Sequence, residues 1–275
     1  MDQQAQRTLC DKLLPAVLGA GLIEMGYFAA GCAVDVKLDR SPVTIADQQA
    51  EAMILAALDR VLPGVPVVAE EAFAAGARPA IGDTFLLVDA LDGTKQFISG
   101  FREFTINIAL VSGGRPVFGL VYAPALGDLM VTDGPGRALR ARVKPGAAFA
   151  TLAAADPAPI RVRKPPADGL VALQSRSRNL EQSSAYLADF PVREWRQLGS
   201  SYKFCLIACG EADIHVQPGD TREWDTAAAH AVLVAAGGHV ATLEGTELVY
   251  GKSGPDYLNP AFVVSSAPIA ALRRQ

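Results

Sequence analysis

The sequence predicts a layered α/β protein with an N-terminal α+β part and a C-terminal α/β part. Three observations favour this class. Helical segments precede the first strands, strand-like segments follow one another at short intervals between residues 104 and 143, and strands alternate with helices after residue 170. Of the 275 residues, 50% are apolar and 20% are charged, which is typical of a globular protein with a large core.

Two N-terminal helices are predicted from apolar residues at helical spacing. The first covers about the first thirty residues, and Pro15 and several glycines weaken it. The second begins near Thr44, which can cap its first turn, and runs to about Leu62. Asp47 falls in that first turn, where the helix dipole favours an acidic residue, so complementarity to the dipole is one explanation of Asp47.

Acidic residues follow two of the predicted strands. A short apolar strand at residues 65–69 precedes Glu70, and a second apolar run at residues 85–88 precedes Asp89. Because open sheets place ligands at strand ends, these carboxylates indicate a common site. Residues 73–83, which lie between the strands, are rich in Ala, Gly and Pro, and we expect a mobile loop there.

The remaining elements form two groups. The first contains strands at residues 104–111, 116–122, 129–132 and 138–143, whose short turns indicate an antiparallel sheet. The second contains strands at 170–173, 192–197, 212–216 and 262–265 and helices at 179–187, 202–209 and 225–236. The proline-rich stretch 144–169, with a short strand at 160–163, predicts a domain junction that divides the chain into residues 1–150 and 151–275.

Composition and charge limit the classes of function. The formal net charge of −4 argues against general binding to polymeric nucleic acid or anionic membranes. The N-terminus does not resemble a secretory signal, and the apolar runs are shorter than the roughly 20 residues of a membrane helix. The cysteines and histidines lack zinc-site spacing. We expect a cytoplasmic protein without a transmembrane segment; peripheral association with the inner membrane stays open, as does the choice between monomer and homodimer.

The segment from Asp89 to Thr94, with the sequence DALDGT, gathers hard oxygen donors within a few positions. Two carboxylates stand three positions apart, Gly93 allows a tight turn, and Thr94 adds a hydroxyl. Such donors suit Mg²⁺ or Mn²⁺ better than zinc. Taken alone, the segment is explained more simply as a strand and a polar turn, because Asp, Gly and Thr are common turn residues.

Carboxylates from three separate segments stand at strand ends or helix starts, and they are Glu70, Asp89, Asp92 and Asp225. Together they could hold two or three divalent ions. Asp225 opens a predicted helix, so capping alone is an adequate explanation of this one residue.

Three motifs resemble, in order and spacing, the signatures of the inositol monophosphatase superfamily of metal-dependent, lithium-sensitive phosphatases. The motifs are EE at residues 70–71, DALDGT at 89–94 and WDTAA at 224–228. The resemblance extends from about Leu9 to Val264. It implies the layered αβαβα sugar-phosphatase fold, with a site at the junction of the two parts.

Within this superfamily the chain is more similar to the CysQ-type 3′(2′),5′-bisphosphate nucleotidases. The supporting motifs are SPVTIAD at 41–47, DGTKQFI at 92–98, EFTINIAL at 103–110, GLVYAP at 119–124 and GSSYKFC at 199–205. The resemblance implies Mg²⁺-dependent hydrolysis of 3′-phosphoadenosine 5′-phosphate to AMP and phosphate. An inositol-monophosphate or sugar-phosphate phosphatase is the alternative, and a non-catalytic metal- or phosphate-binding protein is a more remote one. Ala90 departs from the family pattern, which usually has Pro there.

The resemblance also implies a metal site. It makes Glu70, Asp89 and the carbonyl of Leu91 ligands of one ion. A second ion would be held by Asp89, Asp92 and Asp225, and a third, weaker one would lie near Glu70. We expect two or three Mg²⁺ ions, for which Mn²⁺ could substitute. A small phosphorylated nucleotide is the expected substrate, and no nucleic acid polymer is expected as a partner.

Catalytic roles follow from the same resemblance. Thr94, hydrogen-bonded to Asp47, would orient and deprotonate the attacking water, and Glu70 belongs to the same catalytic group. This pairing gives a functional reason for the carboxyl group at position 47 and the hydroxyl group at position 94.

Substrate binding is expected mainly from the second half of the chain. The candidates are Gly93, Thr94, Arg176, Gly199, Ser200, Ser201, Lys203 and Arg222. Simple inositol phosphatases usually have an apolar residue where Lys203 stands, so Lys203 favours a bisphosphorylated substrate. A solvated surface lysine is the alternative for Lys203, and a solvated loop residue is the alternative for Arg222.

Overall fold

The computed structural model describes residues 1–31, 33–36, 42–176, 180–252 and 256–273 of the chain. Within these ranges the chain forms a seven-stranded sheet, a five-stranded sheet and a two-stranded hairpin, with helices on both sides of each large sheet.

The N-terminal layer consists of two long helices joined by a hairpin. Its elements are α1 (Gln3–Ala30), β1 (Val34–Val36), β2 (Pro42–Thr44) and α2 (Ile45–Val61). The helix α1 continues through Pro15, which the sequence suggested would weaken it. Its apolar face, which includes Leu13, Leu14 and Val17, is fully buried against α2 and the large sheet. This tertiary packing outweighs the local cost of the proline, because most helical stability in proteins comes from such burial.

The helix α1 also has the length and apolar composition of a membrane-spanning helix. The uninterrupted apolar run in α1 is nevertheless shorter than a membrane span, because Asp11, Lys12 and Glu24 interrupt the helix. A single candidate of this kind is weak evidence, since the core helix of a soluble protein passes the same test. The absence of a transmembrane segment stays a prediction.

The seven-stranded sheet contains the predicted antiparallel strands. In chain order its segment comprises β3 (Val67–Ala69), α3 (Glu70–Ala74), β4 (Thr84–Asp92), α4 (Thr94–Ile98), β5 (Thr105–Ser112), β6 (Arg115–Ala123), β7 (Asp128–Thr132), β8 (Ala138–Arg142), a 3₁₀ helix (Leu152–Ala155) and β9 (Ala158–Ile160). The strand order follows the chain; β3 is parallel to β4, and the other neighbours are antiparallel. The strand β9, which lies beyond residue 150, pairs with β8 in this sheet. The predicted division into residues 1–150 and 151–275 stays a prediction.

The C-terminal part alternates strands and helices as expected. It comprises β10 (Leu170–Ser175), α5 (Leu180–Tyr186), β11 (Val192–Leu198), α6 (Tyr202–Ala208), β12 (Ile214–Gln217), α7 (Glu223–Ala235), β13 (His239–Thr242), β14 (Phe262–Ser265) and α8 (Ile269–Leu272). The order in the sheet is β11-β10-β12-β14-β13. The hairpin β1–β2 and the strand β13 were not expected, because each has only three or four residues.

The elements stack in five layers. The pair α1 and α2 covers one face of the large sheet, and α6 and α7 fill the space between the two sheets. The helices α5 and α8 cover the outer face of the smaller sheet. In β4, Leu86 and Val88 face the first layer while Phe85 and Leu87 face the third, so both faces of this strand are buried and its sequence reads as a continuous apolar run. This is the predicted αβαβα arrangement.

The helix α7 lies directly against the large sheet at Gly119. A Cβ atom at this position of β6 would collide with the carbonyl oxygen of Ala228 in α7. Only glycine therefore allows this approach of helix and sheet.

The loop expected at residues 73–83 is anchored at its start. Phe73 belongs to α3 and is buried, with its ring centroid 5.2 Å from Trp224 and 5.7 Å from Tyr257. The guanidinium carbon of Arg78 lies 3.5 Å from the Phe73 centroid. Mobility of this segment stays a prediction.

Candidate active site

A cavity of about 550 Å³ opens where the end of β4 meets the first turns of α3, α6 and α7. Most of the predicted site residues line it, namely Glu70, Asp89, Leu91, Asp92, Gly93, Thr94, Ser200, Ser201, Lys203 and Asp225. Four do not, namely Asp47, Arg176, Gly199 and Arg222. Segments distant in sequence therefore converge on one place.

Three carboxylates form an acidic cluster in this cavity. Each of Glu70, Asp89 and Asp225 offers an oxygen, and these oxygens lie within 4.8 Å of one another. Glu70 opens α3, Asp89 lies near the end of β4, and Asp225 lies in the first turn of α7. Like charges this close repel unless a cation neutralises them, and carboxylate oxygens are the ligands that divalent hard cations prefer. The donor set fits Mg²⁺.

A bulge in β4 brings Asp89 and Asp92 to the same cavity. Asp89 is paired with Asn107 and Asp92 with Thr105, so three steps along β4 match two steps along β5. In a regular strand, residues three apart point to opposite faces, and the extra residue restores a common direction.

Asp92 lines the cavity but lies outside the acidic cluster. Its Oδ2 accepts a hydrogen bond from the backbone N–H of Ser201 at the start of α6. The Ser201 hydroxyl in turn donates to Oδ1 of the buried Asn107 at 2.8 Å. These contacts join the end of β4 to the substrate side of the cavity, and the ligand role of Asp92 stays a prediction.

Gly93 makes the turn between β4 and α4. Its φ of +97° lies in the left-handed region, and a Cβ there would lie 3.2 Å from the carbonyl oxygen of Glu103 and 3.3 Å from Cβ of Ser200. Both conformation and space favour glycine. The short helix α4 begins at Thr94.

Asp47 lies just behind the cavity and is 3% exposed. Its Oδ2 accepts hydrogen bonds from the backbone N–H and the hydroxyl of Thr44, at 2.8 and 2.6 Å, which forms a capping box at the start of α2. Its Oδ1 accepts a 3.1 Å hydrogen bond from the Thr94 hydroxyl. Burial raises the pKa of Asp47, the bonds from Thr44 and Thr94 lower it in part, and the nearby charge of Glu70 raises it further.

Two explanations of Asp47 therefore hold at once. It caps a helix, as the dipole argument suggested, and it makes the hydrogen bond to Thr94 that the resemblance implied. The Thr94 hydroxyl also lies 3.3 Å from the Leu91 carbonyl oxygen.

A second buried acid, Glu24 of α1, lies close enough to Asp47 to feel its charge. Neither carboxyl oxygen of Glu24 has a hydrogen-bond partner among the described residues. Burial and the charge of Asp47 raise the pKa of Glu24 well above its ordinary value. Both effects favour the neutral form of the Glu24 carboxyl group.

Lys203 lies in the cavity wall and is only 5% exposed. Its Nζ donates a 2.7 Å hydrogen bond to the Ser200 carbonyl oxygen. The alternative of a solvated surface lysine is wrong, because the side chain is buried. Gly199, one residue before Ser200, does not line the cavity; a Cβ there would collide with Gln96, so Gly199 allows α4 to approach this loop.

Neither predicted arginine lines the cavity. Arg176 donates to Oε1 of Glu103 at 3.1 Å and to the Gln197 carbonyl oxygen at 2.9 Å. Arg222 donates through Nη1 to the Asp256 carbonyl oxygen at 2.6 Å. The sequence around Arg176 is Ser-Arg-Ser at residues 175–177, and Ser177 lies outside the described residues.

The backbone of Arg222 has a different role. Its N–H donates a 2.9 Å hydrogen bond to Oδ2 of Asp225. Asp225 thus caps α7 and also belongs to the acidic cluster, and its role as a metal ligand stays a prediction. The substrate-binding roles of Arg176 and Arg222 stay predictions.

Sequence reasoning missed several lining residues, including Ser175, His215, Gln217, Thr221 and Phe262. Ser175 ends β10, Gln217 ends β12, and Nδ1 of His215 lies 2.9 Å from the Leu173 carbonyl oxygen. The strand-end argument that found Glu70 and Asp89, applied to the strands predicted at 170–173 and 212–216, could have found Ser175, His215 and Gln217.

The chain matches the model of the inositol monophosphatase family over residues 6–273 and belongs to this family. The 3′(2′),5′-bisphosphate nucleotidase CysQ of Salmonella typhimurium is 39% identical over 229 residues, which cover 83% of this chain and 87% of that protein. The CysQ of Escherichia coli K12 is 36% identical over 259 residues, covering 94% and 99%.

A solved structure agrees with these relatives. The crystal structure of CysQ from Bacteroides thetaiotaomicron, described as a bacterial member of the inositol monophosphatase family, matches with a TM-score of 0.77. It is 33% identical in sequence, and the match covers 95% of this chain and 98% of that one. The predicted family and the predicted fold are confirmed.

Proposed function

We propose that this protein is a Mg²⁺-dependent phosphatase that hydrolyses the 3′-phosphate of 3′-phosphoadenosine 5′-phosphate to AMP and phosphate. The relatives named as bisphosphate nucleotidases support this activity, since they match most of the chain at 36–39% identity. The observation that carries it is one cavity with an acidic cluster and a separate buried lysine. A substrate with two phosphates would place one phosphate at the acidic cluster and the other at the lysine.

The acidic cluster is the proposed metal site. Glu70, Asp89, Asp225 and the carbonyl oxygen of Leu91 would hold divalent cations, and Asp92 is the further candidate ligand. Divalent cations bound there supply charge neutralisation for the phosphate oxygens and a water of lowered pKa. We include in the proposal two or three Mg²⁺ ions, replacement by Mn²⁺, and inhibition by lithium.

The pair Thr94 and Asp47 would orient the attacking water and take up its proton. The Thr94 hydroxyl donates to Asp47, which leaves its oxygen lone pairs available to accept a hydrogen bond from water. The raised pKa of Asp47 favours acceptance of a proton at this position. Glu70, whose charge acts on Asp47, belongs to the same group.

Recognition of the second phosphate is proposed for the start of α6. The Lys203 ammonium lies in the cavity wall and donates a 2.7 Å hydrogen bond to the Ser200 carbonyl oxygen. Ser200 and Ser201 line the same part of the cavity. A charge-assisted hydrogen bond in a half-closed cavity is strong, so Lys203 would favour a bisphosphate over a monophosphate. The backbone N–H groups of Gly93 and Thr94 are candidates for the scissile phosphate.

An activity panel tests the proposal. Purified protein would be given 3′-phosphoadenosine 5′-phosphate or inositol 1-phosphate, each with Mg²⁺ and with chelator, and released phosphate would be measured. We expect Mg²⁺-dependent release with a higher kcat/KM for the nucleotide. A clear preference for the inositol ester would contradict the proposed substrate, and no release from any ester would favour a binding protein.

A further inference from the structure

A second cavity, of about 520 Å³, adjoins the candidate active site. Pro42, Lys95 and Gln96 line both cavities, so the two share a wall. The second cavity contains none of the acidic cluster, and its own walls include Ile98 and Phe101. It therefore offers a different chemistry next to the phosphate site.

The walls of this cavity are largely apolar, with Phe101 as an aromatic residue and Lys95 and Arg176 as cationic ones. Two large apolar side chains of this lining are exposed, Ile98 by 42% and Phe101 by 40%. The guanidinium carbon of Arg176 lies 4.2 Å from the Phe101 ring centroid. The hydrogen bonds of Arg176 to Glu103 and to the Gln197 carbonyl hold the guanidinium in this place.

An aromatic ring beside a fixed guanidinium is a surface against which nucleobases stack. The charge of Arg176 is balanced by Glu103 at 3.1 Å, so the pair presents little net charge to a ligand. A neutral, flat ring system fits this surface better than a phosphate does. The position of Arg176 outside the first cavity agrees with this difference.

We propose that the second cavity binds the purine base of the nucleotide substrate, with Phe101 and Arg176 packed against the base. This inference rests on the proposed function. The acidic cluster receives the 3′-phosphate, Lys203 the other phosphate, and the base lies beyond the wall formed by Pro42 and Gln96. A sugar phosphate has no group for this cavity, so the cavity selects nucleotides.

Phe101→Ala and Phe101→Leu test the proposal, with Trp195→Ala as the matched control. Trp195 is 42% exposed, like Phe101, and lies on β11 away from both cavities. The readouts are the inhibition constants of AMP and of inorganic phosphate, and the KM for the bisphosphate and for inositol 1-phosphate. Phe101→Leu keeps apolar volume and removes the aromatic ring, which guards against a loss of folding in Phe101→Ala.

We expect Phe101→Ala to raise the AMP inhibition constant and the KM for the bisphosphate about tenfold, because one stacking contact is lost. Phe101→Leu should show a smaller rise. Inhibition by inorganic phosphate and turnover of inositol 1-phosphate should change less than about twofold in either Phe101 variant. The control Trp195→Ala should leave the AMP inhibition constant and the KM for the bisphosphate unchanged.

Two outcomes overturn the base site. One is unchanged AMP inhibition in both Phe101 variants, and the other is an equal rise for AMP and inorganic phosphate. If the wild type prefers the nucleotide and either result is found, only the base site fails. If the wild type prefers inositol 1-phosphate, the proposed function fails, and the base site fails with it.

Discussion

Thr94 donates a 3.1 Å hydrogen bond to Oδ1 of Asp47, which joins the start of α4 to the start of α2. The other oxygen of Asp47 is occupied by the backbone N–H and the hydroxyl of Thr44. One carboxylate thus fixes a helix end and holds the hydroxyl at the edge of the acidic cluster. A change at Asp47 alters both, whereas a change at Thr94 alters the site alone.

Thr94→Val tests the role of this hydroxyl. Valine keeps the shape of threonine and removes the group that would orient the water, so we expect kcat to fall about 100-fold or more, as for loss of a general acid–base group. The KM should change little. Steady-state kinetics on the bisphosphate would measure both constants.

Thr94→Ser serves as the rescue variant, because it restores the hydroxyl. We expect its kcat to lie within about tenfold of the wild type, the size of a modest loss of orientation. Equal activity of the valine and serine variants would argue against a role of the hydroxyl in the reaction.

Asp89→Asn tests the acidic cluster through stability. Mg²⁺ at about 100 times its Kd should stabilise the wild type by about 2.7 kcal/mol, seen as a rise in Tm. The variant should lose this rise, since one of three close carboxylates is gone. Without Mg²⁺ it should be at least as stable as the wild type, because repulsion in the cluster decreases.

Asp59→Asn, an exposed substitution on α2, is the control for the loss of one charge. It should keep the full Mg²⁺-induced rise in Tm. A rise in Asp89→Asn equal to that of the wild type would place the cations elsewhere.

Lys203→Met tests recognition of the second phosphate. Methionine keeps the length of the buried stem and removes the charge, so the KM for the bisphosphate should rise about 10- to 100-fold, the value of a hydrogen bond to a charged group. The kcat/KM for inositol 1-phosphate should stay within about threefold, because no second phosphate is present. The exposed Lys12→Met is the control. Equal losses on both substrates would contradict the role of Lys203.

Glu24→Gln tests the buried carboxyl behind Asp47. Burial raises the pKa of Glu24 in the folded state, whereas the unfolded chain ionises near its ordinary value of 4.5. The contribution of Glu24 to stability is therefore fully present below pH 4.5 and is lost as pH rises towards its folded pKa. Glutamine cannot ionise and avoids this loss.

The free energy of unfolding, measured in urea with chelator, should therefore show a gap between Glu24→Gln and wild type that widens as the pH rises above 4.5. The slope cannot exceed about 1.4 kcal/mol per pH unit for one proton. The exposed Glu244→Gln controls for net charge. A gap of constant size would show that Glu24 ionises alike in both states.

The acidic cluster could be predicted because its residues stand at element ends. Glu70, Asp89 and Asp225 follow a strand or open a helix, and sheet topology brings such positions together. The direction of long side chains could not be predicted in this way. Arg176 and Arg222 lie near the site in sequence, yet each is directed elsewhere by a partner that is distant along the chain.

Most strands and helices could also be predicted, since each carries its own periodic pattern, and the resemblance to the family implied their stacking in five layers. The short hairpin β1–β2 could not, because three residues hold too little of a pattern. Pro15 led to the opposite kind of error, because it predicted a weaker first helix than the structure has. Its local penalty is visible in the sequence, while the compensating burial of α1 depends on contacts with residues far along the chain.

The contact of α7 with β6 at Gly119 bears on how the protein matures after synthesis. Glu70 and Asp89 are made early, but Asp225 reaches them only when α7 settles on the sheet. A nascent or truncated chain that ends before α7 has two of the three carboxylates and no complete cation site. The proposed cation site would therefore be complete only in a chain that includes α7.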